Sequence, residues 1–111
     1  MAKRTMQEPA FLILTALSDE PRHGYGIMKE VEAISTGRVT LRAGTLYAAL
    51  DRFAGEGLVE IDHEEVADGR HRRFYKLTER GRSELEAEAA RLAGNARVAL
   101  RRLGIAAETA P

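Results

Sequence analysis

The segment Gly44–Leu77 constrains the fold more than any other part of this 111-residue chain. It begins with a helical pattern, in which Leu46, Leu50 and Phe53 follow the i, i+4, i+7 spacing of one buried face. Gly57 then favours a helix C-cap, because glycine adopts the left-handed backbone conformation without steric cost. The pattern therefore predicts a short helix that ends near Gly55 or Gly57, with its polar side chains on the opposite face.

Two β-prone runs follow this helix. Leu58–Ile61 and Phe74–Leu77 flank a charged stretch that contains the dipeptide Asp68-Gly69. This dipeptide is a strong hairpin signal, because a type I′ turn needs positive φ at both central residues. A helix followed by an arginine-rich hairpin is the arrangement of a winged helix-turn-helix. We therefore predict a mainly α fold with a small β-hairpin wing, in which the helix enters the DNA major groove and the hairpin contacts the backbone.

Two helices are predicted before this segment. Pro9 suits a first helical turn, and Ala10–Leu17 is apolar on nearly all sides, so it should be buried on more than one side. One of those sides could serve a partner chain, through Phe11 and Leu14. The basic residues Lys3 and Arg4 before this helix are expected to be solvated.

The second helix should run from a turn at His23-Gly24 to about Ser35. Its core face is predicted to contain Ile27, Val31 and Ile34. His23 is expected to act as a turn or capping residue. The two glycines in His23–Gly26 could belong to a phosphate-binding loop, but a close approach between helices is the favoured interpretation, because no strand precedes them.

Two further expectations concern the segment before the helix that starts near Gly44. In a helix-turn-helix this helix is the recognition helix, which contacts the DNA bases. Arg38–Leu41 is predicted to form a short strand that pairs with the hairpin. Arg42 is a poor N-cap, so Thr45 or Thr40 is expected to cap the recognition helix.

The end of the chain is predicted to be one long helix after a Thr78 N-cap. Its apolar residues alternate at spacings of four and three, which is typical of a coiled-coil seam. We expect residues 1–78 to form the winged helix-turn-helix domain and residues 79–111 to form a dimerisation helix, in one compact unit. The seam consists of Leu85, Ala89, Leu92, Ala96, Ala99 and Leu103.

Four motifs resemble one protein family. They are H-G-Y-G-I from His23, G-T-L-Y-A-A-L-D-R from Gly44, E-G-L-V from Glu56 and R-F-Y-K-L-T-E-R-G from Arg73. In this order and spacing, the chain from about Phe11 to Leu85 is similar to the PadR-type transcriptional regulators. The resemblance implies a repressor that binds palindromic operator DNA as a homodimer. It also implies release by a small aromatic effector near the dimer interface, and no cofactor.

Basic and polar side chains on the helix and hairpin are the candidate DNA contacts. Guanidinium groups pair with phosphates and with guanine edges. The resemblance implies a DNA-facing role for Tyr47, whose alternative is a half-buried packing role. Arg42 replaces a serine that the family often has, and could substitute as a phosphate or base contact. The candidates are Arg42, Thr45, Tyr47, Arg52, Arg70, His71, Arg72, Arg73 and Lys76.

Charge supports two alternatives to this interpretation. The chain has 17 basic and 17 acidic residues, whereas a nucleic-acid-binding domain is usually basic. The stretch Glu56–Asp68 contains six acidic residues and no Lys or Arg. The hairpin could therefore pair its charges internally, and the domain could be a winged-helix protein-interaction module that does not bind DNA.

The sequence lacks the residues that are characteristic of other functional classes. The chain has no cysteine, and no apolar run approaches the roughly 18 residues that span a membrane. The polar stretch Met1–Pro9 does not resemble a signal peptide, so we expect a cytoplasmic location. No nucleophile motif or metal-ligand spacing is present, and only His63, His71 and Glu64 could meet across the hairpin. We therefore expect neither an enzyme nor a metal site.

Overall fold

The computed structural model describes residues 6–105. The predictions for Lys3, Arg4 and residues 106–111 lie outside this range. Four helices and one antiparallel two-stranded hairpin form the fold, which confirms the predicted class. In chain order the elements are α1 (Glu8–Ala16), α2 (Gly24–Ile34), α3 (Ala43–Gly55), β1 (Val59–Ala67), β2 (Arg70–Leu77) and α4 (Glu79–Arg102).

The core is aliphatic and is built mainly from α1, α2 and α3. As predicted, α1 is buried on several sides, and α3 buries the face that carries Leu46, Leu50 and Phe53. The prediction for Ile34 is wrong, since its side chain is 40% exposed. It is the last residue of α2, and the next residue, Ser35, is buried instead. The largest fully buried side chains are Ile13, Leu14, Leu17, Ile27, Leu46, Leu50 and Val31.

The two ends of α3 differ in how they are capped. At the C-terminal end Gly57 has a φ of 77°, and Leu58 N donates to the Phe53 carbonyl at 2.9 Å, which confirms the predicted glycine cap. At the N-terminal end the prediction of a threonine cap is wrong. Arg42 occupies the N-cap position without a side-chain hydrogen bond. Thr45 lies inside the helix, and the hydroxyl of Thr40 lies 3.4 Å from Glu32.

The hairpin turns at the predicted position. Asp68 and Gly69 have φ values of 52° and 73°, which confirms the type I′ turn signal. From Val59↔Leu77 to Ala67↔Arg70 the strands are paired, with a bulge between Ile61 and His63. We refer to β1, this turn and β2 together as the wing.

The predicted strand Arg38–Leu41 does not form. The N–H of Val39 is bound by the Ser35 hydroxyl at 3.0 Å, so this segment continues the turn at the end of α2. The wing pairs instead with the turn before α2, through an isolated antiparallel bridge between Arg22 and Tyr75.

The long helix α4 begins as predicted and crosses the base of the wing. The Thr78 hydroxyl accepts a hydrogen bond from Gly81 N at 2.9 Å. Gly81 is buried, and a Cβ atom at this position would lie 2.0 Å from the carbonyl oxygen of Leu58. A side chain is therefore excluded at Gly81, because the neighbouring atom belongs to the backbone and cannot rotate away.

The second half of α4 extends away from the other elements. Leu85 and Glu88 are buried, but beyond Glu88 no residue of the described helix is buried. The described chain is correspondingly elongated, with extents of 56 × 34 × 22 Å.

The close approach at Gly81 leads to a stability prediction. We expect Gly81→Ala to destabilise the fold by about 1–3 kcal/mol, because the added methyl group must push α4 away from Leu58. Urea unfolding at equilibrium measures this change.

Gly94→Ala is the matched control, because it changes the same residue type in the same helix. No heavy atom lies within 4 Å of a Cβ at Gly94. This substitution should stabilise the protein by up to about 1 kcal/mol, because alanine is the better helix former. If Gly81→Ala unfolds at the same urea concentration as the unmodified protein, the steric explanation is wrong.

Candidate nucleic-acid interface

The exposed face of α3 carries most of the predicted contacts of this helix. Leu46, Ala49 and Leu50 are buried, whereas Tyr47 and Ala48, which lie between them in the chain, are exposed. The guanidinium carbon of Arg52 lies 5.1 Å from the centre of the Phe53 ring, and Arg52 forms no ion pair with another residue of the described range. The exposed residues of α3 include Thr45, Tyr47, Ala48, Asp51 and Arg52, and Arg42 is exposed at the N-cap.

Tyr47 connects α3 to the start of α2. Its side chain is 45% exposed, and its hydroxyl lies 2.2 Å from the position that a Cβ atom of Gly24 would occupy. The ring therefore packs against the backbone of α2, which is possible because residue 24 is glycine. Tyr47 is therefore partly packed and partly exposed, and its DNA-facing role stays a prediction.

The wing separates its charges into paired and unpaired groups. Lys76 lies 3.4 Å from Asp62 and 3.9 Å from Glu60, and His71 Nε2 is in contact with a carboxylate oxygen of Glu64. Arg70, Arg72 and Arg73 are exposed and form no ion pair with any residue in the described range. Internal pairing therefore accounts for part of the hairpin only, and three guanidinium groups remain available.

A cleft of about 730 Å³ brings the wing and α3 together. The wing forms one wall of this cleft, and α3 together with the start of α2 forms the other. The free arginines consequently face the same space as the exposed side of Tyr47. The residues that line the cleft include His23, Tyr25, Tyr47, Arg70, Arg72 and Arg73.

The sequence-based candidates omitted the residues that α2 contributes to this cleft. Tyr25 is 63% exposed, and Lys29 Nζ lies 5.5 Å from the centre of its ring. His23 caps α2, as expected, by accepting from Gly26 N at 3.3 Å. The sequence did contain a signal for Tyr25. His23 was expected to cap α2, and a residue two places after the N-cap lies in the first helical turn, which borders the cleft.

Two histidines of this region have opposite pKa shifts. Burial and the nearby Arg72 guanidinium lower the pKa of His23. The hydrogen bond with Asp62 raises the pKa of His63, which is stacked on Phe74 with ring centres 4.4 Å apart. The neutral form of His23 is the one that accepts a hydrogen bond at the α2 cap. Lowering the pH therefore protonates His63 first and His23 later.

The predicted dimer-interface residues fall into three groups by their exposure. Leu14 is completely buried and Leu85 is 9% exposed, so both belong to the core of the single chain and leave little surface for a partner. Phe11 is half-buried. The remaining seam residues, Ala89, Leu92, Ala96, Ala99 and Leu103, are exposed on the extended half of α4.

Residues 6–105 lack the features of a metal site and of a membrane span. Within them, no cluster of three or more His, Cys, Asp or Glu side chains could hold a metal ion. The same residues include no helix with the length and hydropathy needed to cross a membrane.

Several known proteins share this fold. A PadR-family transcription regulator from Clostridium difficile R20291 superposes with a TM-score of 0.72 at 25% identity, covering 87% of this chain and 99% of that one. PadR from Bacillus subtilis, solved in complex with operator DNA, gives a TM-score of 0.65 at 20% identity, covering 73% of this chain and 47% of that one. At this lower identity the similarity establishes the fold alone.

Sequence comparisons lead to the same family. Transcriptional regulator Rv3488 from Mycobacterium tuberculosis is 36% identical over 73 residues, which are 66% of this chain and 64% of the relative. The chain covers between 23% and 68% of the length of other curated relatives, some of which are much longer. The family model described as "Transcriptional regulator PadR-like family" matches residues 13–87. With its winged helix-turn-helix fold, this chain therefore belongs to the PadR-like family of transcriptional regulators.

Proposed function

We propose that this regulator binds double-stranded DNA, with α3 in the major groove and the wing along the backbone. The observation that carries the proposal is the position of Arg70, Arg72 and Arg73, which lack ion-pair partners among the described residues and face the cleft beside Tyr47. Guanidinium groups in such positions can neutralise phosphates and release their counterions. The complex of the B. subtilis neighbour with operator DNA supports this assignment.

The N-terminal half of α3 is assigned to base recognition. In a helix-turn-helix, the first residues of the recognition helix contact base edges. Thr45 and Tyr47 are exposed there, and Arg42 precedes them at the N-cap. Arg52 is exposed near the end of the helix and suits a phosphate contact. Lys76 and His71 take a secondary role, because carboxylates of the wing already pair with them.

The neutral net charge of the whole chain is compatible with this function because a bound phosphate responds mainly to nearby charges. The acidic side chains of the wing belong mainly to β1, and the arginines belong to β2. Interactions between exposed charges weaken beyond about 8–10 Å at moderate salt. A phosphate beside β2 is therefore little affected by charges far along the chain. The carboxylates of β1 lie within this distance, since Glu64 and Glu65 are opposite Arg73 and Arg72. The arginines remain available because they form no ion pair with these carboxylates.

We further propose that the protein is a homodimeric repressor. The extended half of α4 exposes a seam that includes Leu92 at 41% and Leu103 at 73%. A helix with little tertiary packing is marginal in water, so a partner surface would stabilise it. A two-fold dimer would present two recognition helices to an inverted repeat, whose half-sites lie about 10 bp or a multiple apart. Bound across a promoter, it would repress transcription sterically.

Release by a small aromatic effector is part of the same proposal. Phe11 lies half-buried on α1, where it packs against the core, and it is one of the predicted dimer-interface residues. A ligand that packs against this ring would change the contact between protomers, and with it the spacing of the recognition helices.

The wing arginines supply the main test of DNA binding. We expect the double variant Arg70→Ala/Arg72→Ala to bind all duplexes more weakly by a similar factor, because phosphate contacts carry no sequence information. The slope of log affinity against log salt should become shallower by roughly two, one for each lost contact. Fluorescence anisotropy with labelled duplexes at several salt concentrations measures both quantities.

Arg97→Ala/Arg101→Ala is the control with the same change of charge. These residues are exposed on α4, far along the chain from the wing. The control should retain both affinity and slope. If the unmodified protein shows no salt-dependent binding to any duplex, the protein-interaction alternative replaces this proposal.

Tyr47 supplies a test of base recognition. We expect Tyr47→Phe to keep the ring packed against Gly24 and to leave the melting temperature nearly unchanged. Affinity for the specific operator should fall by about 0.5–1.5 kcal/mol, because the variant loses one hydrogen bond. Binding to random duplex DNA should change less. Equal losses on both duplexes would reassign the hydroxyl to a phosphate contact.

The dimer is tested on the seam of α4. We expect Leu92→Glu to convert the dimer to a monomer at micromolar concentration, because two glutamates would be buried near the two-fold axis. Ala90→Glu, on the opposite side of the helix, should remain dimeric. Sedimentation velocity distinguishes the two variants, and a monomeric unmodified protein would contradict the proposal.

A further inference from the structure

Arg22 joins the wing to helices α1 and α2 of the core. Its backbone pairs with Tyr75 in both directions, since Arg22 N donates to the Tyr75 carbonyl at 3.1 Å and Tyr75 N donates to the Arg22 carbonyl at 2.9 Å. These two bonds form the isolated bridge on the edge of β2 that β1 leaves open. The orientation of the wing therefore depends on where the backbone of Arg22 is held.

The side chain of Arg22 holds that backbone in place. Its Nε atom donates to the carbonyl of Ala16 at 2.8 Å. Ala16 is the last residue of α1, where carbonyl groups lack partners within the helix and a cation is favoured by the helix dipole. The Nη2 atom lies 3.3 Å from Asp19, 3.3 Å from Glu20 and 3.8 Å from Glu30.

Arg22 is less exposed than the cations of the other ion pairs of the described residues. The side chain of Arg22 is only 19% exposed, whereas that of Arg38, which pairs with Glu8, is 62% exposed. An exposed pair contributes little to stability. Arg22, in contrast, binds the end of α1, the following turn and α2 at the same time. It is therefore fixed relative to the helices, and its backbone carries that fixed position to β2.

The adjoining residues extend the link to the proposed DNA-binding surface. The ring of His23 contacts the edge of Phe74, with ring centres 5.0 Å apart. His23 Nε2 also lies 3.5 Å from Arg72 Nη1. Arg72 is three residues from Tyr75 on the same strand, so a rotation of β2 about the bridge would move its guanidinium relative to α3.

We propose that Arg22 is a positioning residue, whose side-chain contacts set the orientation of the wing and thereby the DNA affinity, without contacting DNA itself. The inference rests on the proposed DNA-binding function. None of the predicted DNA contacts lies in the turn before α2, and the proposal gives this turn a role of its own.

The test combines one measurement without DNA and one with DNA, on Arg22→Gln. Without DNA, the amide of Tyr75 should exchange with deuterium about tenfold faster, because its acceptor is the Arg22 carbonyl. The amide of Leu58, which donates to Phe53, should be unaffected. With DNA, affinity for a duplex should fall about fivefold, within the range of couplings between contacting residues.

A double-mutant cycle separates positioning from a general loss of structure. In the Arg70→Ala/Arg72→Ala background, Arg22→Gln should cause no further loss of affinity, because the groups that it positions are already absent. Arg38→Gln is the matched control, since it makes the same substitution and also breaks an arginine–carboxylate ion pair, here with Glu8 of α1. It should leave both Tyr75 exchange and DNA affinity unchanged.

Three results decide the inference. Unchanged Tyr75 exchange in Arg22→Gln overturns it, and so do additive losses of affinity in the cycle. If Arg22→Gln does not fold, the same measurements are made on Arg22→Lys, which keeps the charge and loses the planar set of donors. Faster Tyr75 exchange in a protein that binds no DNA would confirm the mechanical link and overturn the proposed function instead, so the two failures are distinguishable.

Discussion

Burial of the aliphatic face of α3 against α1 and α2 is the interaction on which the remaining structure depends. Leu46 and Leu50 are completely buried, and burial of such a side chain contributes about 1.5–3 kcal/mol. An exposed ion pair such as Glu8–Arg38 contributes little to stability. The hydrophobic contacts therefore decide how α3 is rotated. Because one face must be buried, the face with Thr45, Tyr47 and Arg52 is directed to solvent.

The wing is oriented by polar contacts that would be weak in isolation. Its base is held by the buried residues Val59 and Leu77, but the tip extends beyond the core. The bridge between Arg22 and Tyr75 and the packing of His23 on Phe74 align the middle of β2 with the start of α2. As a result, one cleft is lined by an arginine-rich strand and by the recognition helix.

Two glycines allow this architecture through their lack of a side chain. Gly24 permits Tyr47 to lie against α2, and Gly81 permits α4 to cross the carbonyl of Leu58. The first contact sets the position of Tyr47, the side chain proposed to recognise bases. The second sets the direction in which α4 leaves the domain, and hence the position of its exposed seam.

Local patterns in the sequence determined much of this protein. Apolar periodicity identified the buried face of α3, Asp68-Gly69 identified the turn, and Thr78 identified the start of α4. These features depend on residues close together in the chain, whose geometry is restricted by helix period, positive φ or a capping hydroxyl. The motifs carried the family resemblance for the same reason, since they combine such local signals in a fixed order.

The tertiary structure alone decided which of the distant groups meet. The strand expected at Arg38–Leu41 was replaced by Arg22 as the partner of β2, because Ser35 binds the backbone of Val39. The contribution of Tyr25 to the cleft and the burial of Leu14 were likewise decided by packing between elements. The division of wing charges into paired and free groups depends on strand register and on the bulge after Ile61. A sequence pattern lists the charges on a strand, but the distances between side chains on different elements decide which of them remain free to bind.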